Sequence, residues 1–401
     1  MQILYISALS SEKLIQSIYE RTGNNPGFAV QKFSRLLVKG LNANGCQTIA
    51  FTNPPIVRGV MPDLFVCLGK EEEKGVKYKY IPFINLPMLK HICVMLYAFF
   101  YVLFWGLINR KEKAIICDVL NVSACMGALL ATKLNRIQSV GVVTDIYGMM
   151  VSKTKGGLAT ILSSIARKIH DLYVKNFNRY ILLTEAMTNL VNSKNHPYIV
   201  MEALCDSSLS AEPFQPSKKV QPRTVIYAGG LFEKYGLKML VEGFIKANIE
   251  NASLVLYGSG SYVDELKAVC AKHTNVEYRG VVPNEEVVAE ELKATLLVNP
   301  RFTTEEFTKY SFPSKNMEFM ASGTPLLTTK LPGMPKDYYP YVFLFEKETI
   351  EGYAKALTDT LSHSESELVE YGKKGREFVL TTKNNIEQGK RILSFVSTKN
   401  K

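Results

Sequence analysis

The 401-residue chain predicts an α/β protein built as two doubly wound halves, each a parallel sheet with helices on both faces. Three observations carry that prediction. Apolar runs of strand length (QTIAF, AIICDVL, SVGVV, YILLT) alternate with helical stretches, the rhythm of strand–helix–strand units. Residues 205–223 (CDSSLSAEPFQPSKKVQPR) hold three prolines, four serines and no apolar period, and a second alternation starts beyond them. The length itself exceeds the roughly 250–300 residues that one core serves. The predicted division is a first domain over 1–204, a linker over 205–222, a second domain over 223–380, and a terminal stretch, 381–401, that packs back toward the first.

Taken in order, MQILYIS opens as a strand and carries neither the basic flank nor the small-residue cleavage site of a secretory signal, so no export is expected. The first helix is expected over 28–44, where Phe33, Leu36, Leu37 and Leu41 share a face and Gly45 stops the run. The stretch Gly23-Asn-Asn-Pro-Gly27 before it reads either as a loop on the acceptor side or as a mere turn. In the second half TVIYA leads to a helix over 236–247, SLVLY to one over 262–272, NVEYRGV to one over 284–293, and TLLVN to one starting at Pro313. A last amphipathic helix is expected over 385–396.

The stretch 91–108 (HICVMLYAFFYVLFWGLI) breaks the rhythm: eighteen residues without a formal charge, flanked by Lys90 and by Arg110, Lys111 and Lys113. As a helix of about 27 Å it falls just short of a ~30 Å hydrocarbon core. A single span would put strands of one sheet on opposite sides of a membrane. The reading preferred here is a helix partly buried in the domain and partly dipping into the membrane interface, ahead of an ordinary core helix and of a span.

Composition narrows the function. Seven cysteines (Cys46, Cys67, Cys93, Cys117, Cys125, Cys205, Cys270) form no Cys-x-x-Cys pair, which fits a reducing compartment and argues against a disulfide scaffold or a zinc site. The five histidines show no ligand spacing and there is no Asp-x-Asp pair, so no metal is expected. Residues 1–200 carry a net charge of +12 and residues 201–401 one of −1. All the surplus lies in the first half, which therefore faces something anionic: nucleic acid, a membrane leaflet or a phosphorylated acceptor.

The strongest chemical motif is Ser311-Phe312-Pro313-Ser314-Lys315-Asn-Met-Glu318-Phe-Met-Ala-Ser-Gly323. Pro313 suits the first turn of a helix and Gly323 the residue past its end. Free N–H groups in the opening turn, over the Pro313 to Lys315 stretch, with the helix dipole and the Lys315 ammonium form an anion site for a diphosphate, and Glu318 can accept two ribose hydroxyls. Arg301 follows the strand LLVNP on the same half. Tyr227-Ala-Gly229-Gly230-Leu-Phe-Glu-Lys234-Tyr-Gly236 is a strand, a glycine loop and a lysine, and Tyr257-Gly258-Ser-Gly260 is a second glycine turn. In the first half Val142-Val-Thr-Asp145 places a carboxylate at a strand end, to orient a hydroxyl, take a proton, or merely cap a turn. No glycine turn follows the first strand, which argues against a dinucleotide-binding dehydrogenase.

YAGGL with EKYG, LYGSG, RGVV, NPR and FPSKNMEFMASGTP, in that order, resemble the family 4 retaining glycosyltransferases of the GT-B fold, particularly bacterial members that make cell-surface polysaccharides. The resemblance implies two Rossmann-like domains facing across a cleft and transfer of a sugar, with retention and without metal or other cofactor, from a nucleotide diphosphate-sugar to a glycan or lipid-linked acceptor. It implies a cytoplasmic enzyme peripheral to the inner face of the cell membrane, with no nucleic-acid partner. Donor contacts map to Gly229, Gly230, Lys234, Gly258, Arg301, Ser311, Phe312, Pro313, Ser314, Lys315 and Glu318, and catalytic roles to Asp145, Lys234 and Arg301. Two departures stand out: many relatives have arginine where Gly230 stands, and the family's first motif glutamate falls on Tyr310, leaving Glu305 or Glu306 as substitutes. A GT-B nucleotide-sugar 2-epimerase and a non-catalytic nucleotide-sugar-binding protein remain as alternatives.

Overall fold

The computed structural model describes residues 1–23, 28–59, 61–146, 157–211, 214 and 223–398. The chain divides into two compact units, Met1–Leu204 with Asn385–Lys401, and Cys205–Asn384.

The first unit contains β1 (Gln2–Ser7), α1 (Glu12–Thr22), α2 (Phe28–Ala43), β2 (Gln47–Thr52), β3 (Phe65–Val66), β4 (Lys70–Glu73), β5 (Val76–Tyr80), β6 (Phe83–Ile84), α3 (Leu89–Ile108), β7 (Lys113–Asp118), α4 (Val122–Asn135), β8 (Gln138–Val143), α5 (Gly157–Val174), β9 (Arg179–Leu182), α6 (Thr188–Val191) and β10 (Tyr198–Val200). Its main sheet runs β10-β9-β8-β7-β1-β2-β5-β4, parallel except for the β4–β5 hairpin, while β3 and β6 pair separately. The central strands are apolar on both faces because helices cover both; Ile3, Tyr5, Ile116 and Val140 on one face and Leu4, Ile6 and Ile115 on the other are all buried. The helix expected first is in fact second. Ahead of it α1 is capped by the Ser11 hydroxyl on Leu14 N–H and stopped by Gly23 at φ 65°. Residues 24–27 of the Gly23–Gly27 loop lie outside the described residues.

The second unit contains β11 (Arg223–Ala228), α7 (Leu237–Ala247), β12 (Ala252–Tyr257), α8 (Val263–Cys270), β13 (Val276–Gly280), α9 (Asn284–Lys293), β14 (Leu296–Asn299), α10 (Ser314–Ser322), β15 (Leu326–Thr329), β16 (Phe343–Phe345), α11 (Ile350–Leu361) and α12 (Glu365–Thr382); α13 (Asn385–Ser397) returns to the first unit. The sheet order is β13-β12-β11-β14-β15-β16, every pair parallel. Strand order therefore reverses between β11 and β14, the place where open α/β sheets bind ligands at strand carboxyl ends.

The start of the expected linker is not free chain. Cys205 N–H donates to the Lys383 carbonyl at 3.0 Å, and the Arg376 guanidinium donates to the Leu209 carbonyl at 2.7 Å, so 205–211 belongs to the second unit. The crossing back falls after Asn384 instead of at 381, because α12 runs on to Thr382. Buried α13 residues Ile392 and Val396 pack into the first unit's core with Leu37 and Leu41 of α2.

The apolar helix starts two residues earlier than its uncharged run, so α3 is about 30 Å long. Two rows of side chains at four-residue spacing lie on opposite faces. Val94, Ala98, Val102 and Gly106 are buried, while Ile92, Leu96, Phe100 and Phe104 are exposed. The ordinary core-helix reading is thereby overturned: only 22% of the most apolar window is buried. Lys90 is not a surface flank either. Its ammonium donates to the Ile56 carbonyl at 2.6 Å and lies 4.6 Å over the Phe83 ring, and burial pushes its pKa down to about 8.

Candidate functional site

The site is assembled in the second unit from the two loops that flank the reversal point and from the start of α10. Gly229 and Gly230 leave β11 and meet the turn after β12. Gly258 has φ 129°, and a Cβ there would lie 1.8 Å from the Gly229 carbonyl oxygen, so only glycine fits. Leu231 N–H donates to the Ser259 carbonyl at 2.8 Å and the Tyr227 hydroxyl to the Gly230 carbonyl at 2.9 Å, which fixes the loop from two sides. Burial raises the Tyr227 pKa, with the positive charge of Arg301 acting in the opposite direction, so the hydroxyl stays a donor.

A Cβ at Gly230 would sit 2.9 Å from the Phe232 ring and 3.2 Å from that of Tyr235. Aromatic side chains thus occupy the space that a larger residue at this position would enter. Those rings do something further. The Lys234 ammonium lies 5.5 Å from the Tyr235 ring centre and 5.9 Å from that of Phe307, and the Arg301 guanidinium lies 4.7 Å and 6.0 Å from the same two rings. Both cations rest on one aromatic platform. Among the described residues neither has an ion-pair partner, although they belong to a unit rich in ion pairs.

Arg301 is held by its backbone. Thr329 donates to the Arg301 carbonyl at 2.6 Å, Tyr353 donates to that of Pro300 at 2.8 Å, and the Pro300 carbonyl fills the space beside Gly236 that a Cβ would need. Two residues upstream, Asn299 donates to Asn316 Oδ1 at 2.5 Å; Asn316 reaches Thr328 Oγ1 at 3.4 Å, and Thr328 returns to the Asn299 carbonyl at 3.0 Å. All three residues are buried. This closed polar network locks the first turn of α10 onto the ends of β14 and β15. The sequence reading missed it; the signal was a polar residue ending each of two apolar strands (LLVN, LLTT) and one more inside the helix motif.

Pro313 is the N-cap of α10, one position before the first turn where it was expected, and it offers no side-chain cap. The opening N–H groups at Ser314 and Lys315 are therefore left for an anion. Phe312 is buried with its ring 5.2 Å from that of Tyr338, so only its backbone can serve a ligand. Ser311 donates to the Phe307 carbonyl at 3.0 Å. Lys315 turns along the helix to Glu318 at 3.4 Å and to the buried Glu291 at 3.9 Å. Its charge is shared between two carboxylates, and it is Arg301 that stands with Lys234. Glu318, half-buried, sits one turn from the helix start. Tyr310 ends a short 3-10 turn over Glu306–Lys309; Glu305 precedes that turn half-buried and Glu306 is exposed. Glu348, which the motifs did not single out, accepts Thr303 N–H at 2.9 Å in the same region.

In the first unit Asp145 follows β8, half-buried, and accepts Ile146 N–H at 2.7 Å; burial raises its pKa. The structure also reveals a second strand-end acid there, Asp118, buried at the end of β7 with its pKa pushed up to about 6 by burial, against one Leu120 N–H at 3.1 Å.

Residues 210–378 match the family described as glycosyl transferases group 1. A comparison with curated proteins found no match. Among solved structures the chain is similar to the lipopolysaccharide outer core galactosyltransferase WaaB in its apo form (TM-score 0.61, 14% identity, 99% of each chain covered). It is also similar to Anabaena HepE in complex with UDP (0.58, 12%, 99% of this chain and 100% of that one) and to sucrose-phosphate synthase from Thermosynechococcus elongatus (0.59, 15%, 100% of each). At such identities the likeness shows architecture. The chain has the GT-B fold, and the match to the glycosyl transferases group 1 family falls on its second unit.

Proposed function

We propose that this chain transfers a hexosyl group from a nucleoside diphosphate sugar to a lipid-linked glycan acceptor, with retained anomeric configuration and no metal, in building a bacterial cell-surface polysaccharide. One observation carries the reading: among the described residues Lys234 and Arg301 have no carboxylate partner and share one aromatic platform, and the strand that leads to Arg301 is tied through Asn299 to Asn316 in the uncapped first turn of α10. As the sugar–phosphate bond breaks, negative charge grows on the leaving diphosphate. Fixed cations and aimed N–H groups stabilise that charge more in the transition state than before it. Glu318 takes the ribose hydroxyls, the backbone of Gly229, Gly230 and Gly258 lets the donor approach closely, and Asp145 orients a hydroxyl at the acceptor side. The UDP in the Anabaena structure supports a diphosphate ligand for this fold.

The exposed row on α3 supports a peripheral position on the cytoplasmic face of the cell membrane, where anionic lipid would meet the basic first half. Tyr310, standing where relatives carry an acid, favours a second reading in which nucleotide-sugar is bound and not transferred. A radiolabelled-donor assay with acceptor-bearing vesicles decides. Free nucleotide released only when acceptor is present supports transfer over epimerisation and over simple binding, and full activity in EDTA supports the metal-free reading. Glu318→Ala should cripple donor use; near-normal turnover defeats the site assignment.

A further inference from the structure

A cavity opens at the carboxyl end of α4, the helix that packs on α3. At the end of α3 Leu107 and Ile108 are exposed, and on α4 so are Leu130 and Leu134. The two helix ends are joined by the Asn135 side chain, which donates to the Leu103 carbonyl at 2.8 Å. The cavity has a volume of about 500 Å³ and is lined by Lys133, Arg136, Gln138, Asn178, Arg179 and, as its one acid, Glu112. That is within the roughly 300–1,000 Å³ range of small-molecule sites.

Helix carboxyl ends repel anions and favour cations, which accounts for single charges such as Lys133 in the last turn of α4 but not for the excess of cations gathered here. At α3 the repulsion is already met: the Lys113 ammonium donates to the carbonyls of Gly106 and Asn109. Arg179 is buried and donates to the carbonyls of Phe395 and Thr398, shaping one wall. Arg110, Lys111, Lys133 and Arg136 remain, and among the described residues none of them has an ion-pair partner. Exposed apolar side chains and surplus cations thus share one edge of the unit.

We infer that this cavity binds the phosphate headgroup of an anionic phospholipid whose acyl chains lie against the exposed face of α3 and α4. Lys133 and Arg136 supply the charge, and Gln138 and Asn178 the hydrogen bonds. The inference rests on the membrane reading above and adds a headgroup site to it. A free phosphate has the same chemistry, but it would leave the adjoining apolar row without a purpose.

Vesicle flotation of the full chain tests it, with phosphatidylcholine vesicles and with vesicles that also contain phosphatidylglycerol. Lys133→Gln with Arg136→Gln should weaken binding to the phosphatidylglycerol vesicles roughly twenty-five-fold, at about fivefold per basic residue, and leave binding to neutral vesicles unchanged. Lys13→Gln with Lys70→Gln removes two exposed charges elsewhere in the unit and should change binding by less than about threefold. An equal loss from both pairs, or none from either, overturns the site. Loss of glycerol phosphate binding in the Lys133→Gln, Arg136→Gln variant with no loss of flotation would assign the cavity to a free phosphate and also overturn it. Phe100→Ser with Phe104→Ser should reduce binding to both vesicle types. If the wild-type chain floats with neither, the membrane reading fails, an outcome distinct from failure of the headgroup site alone.

Discussion

The two sheets repeat one strand order and treat charge in opposite ways. In each, the first strand is flanked by the second and by a later strand, β7 beside β1 and β14 beside β11. At the end of β14 stands Asn299, neutral and tied into a closed network; at the end of β7 stands Asp118, ionisable and buried with one backbone donor. Around the second sheet several exposed lysines face a carboxylate, as in Lys238–Glu265, Lys293–Glu290 and Lys330–Glu346, and the buried Lys383 faces Asp337. Around the first, Arg110, Lys111, Lys133 and Arg136 face none among the described residues. Other cations of the near-neutral unit, Lys267, Lys272 and Lys336 among them, also have no ion-pair partner among the described residues, so what sets Lys234 and Arg301 apart is the pair of rings, Tyr235 and Phe307, that they share. In the basic unit a lone cation marks nothing by itself, and only its conjunction with an apolar face and a cavity carries meaning.

The largest effect that could break this comparison is kinetic. Lys234→Ala and Arg301→Ala should each lower kcat/KM roughly ten- to two-hundredfold, the loss of one charge-assisted contact worth ~1.5 to 3 kcal/mol. Lys330→Ala removes an equal charge from the same unit, but one already committed to Glu346 at 2.8 Å on the exposed surface, and should leave kcat/KM within about twofold. Radiolabelled transfer measures all three; similar losses from Lys234 and Lys330 would show that total charge matters and position does not.

How much of this was legible beforehand differs between the units for a physical reason. Parallel strands buried on both faces read as unbroken apolar runs, so the strand–helix rhythm was visible in both. The glycine loops and the α10 motif were visible because backbone approach and capping demand particular residues. The helix α1 was not, since EKLIQSIYERT buries only Ile15 and Ile18 and its stripe is narrow. The β4–β5 hairpin was hidden by its charges, KEEE and VKYKY. Asn316 and the Lys315–Glu291 contact join elements far apart in the chain, and no local pattern announces such a partner. The outward face of α3 was illegible because the helix is apolar all round; only its packing on α4 distinguishes the row of Val94 from the row of Leu96.

The smaller effect sharpens the contrast between Asp118 and Asn299. The folded pKa of Asp118 is pushed up to about 6, whereas an unfolded aspartate titrates near 3.9. Between those values the folded chain holds more proton than the unfolded one, so this residue's contribution to stability falls as pH rises through the window and stays at its lower level above about 6. Asp118→Asn keeps an oxygen to accept Leu120 N–H and removes the buried charge. The variant should therefore be more stable than wild type at pH 7, by about 1 to 3 kcal/mol, and nearly equal to it at pH 4. Urea unfolding at the two pH values measures the gap. A gap that does not change with pH would mean the carboxyl stays protonated or is solvated throughout, and that the two strand ends differ in residue type without differing in charge.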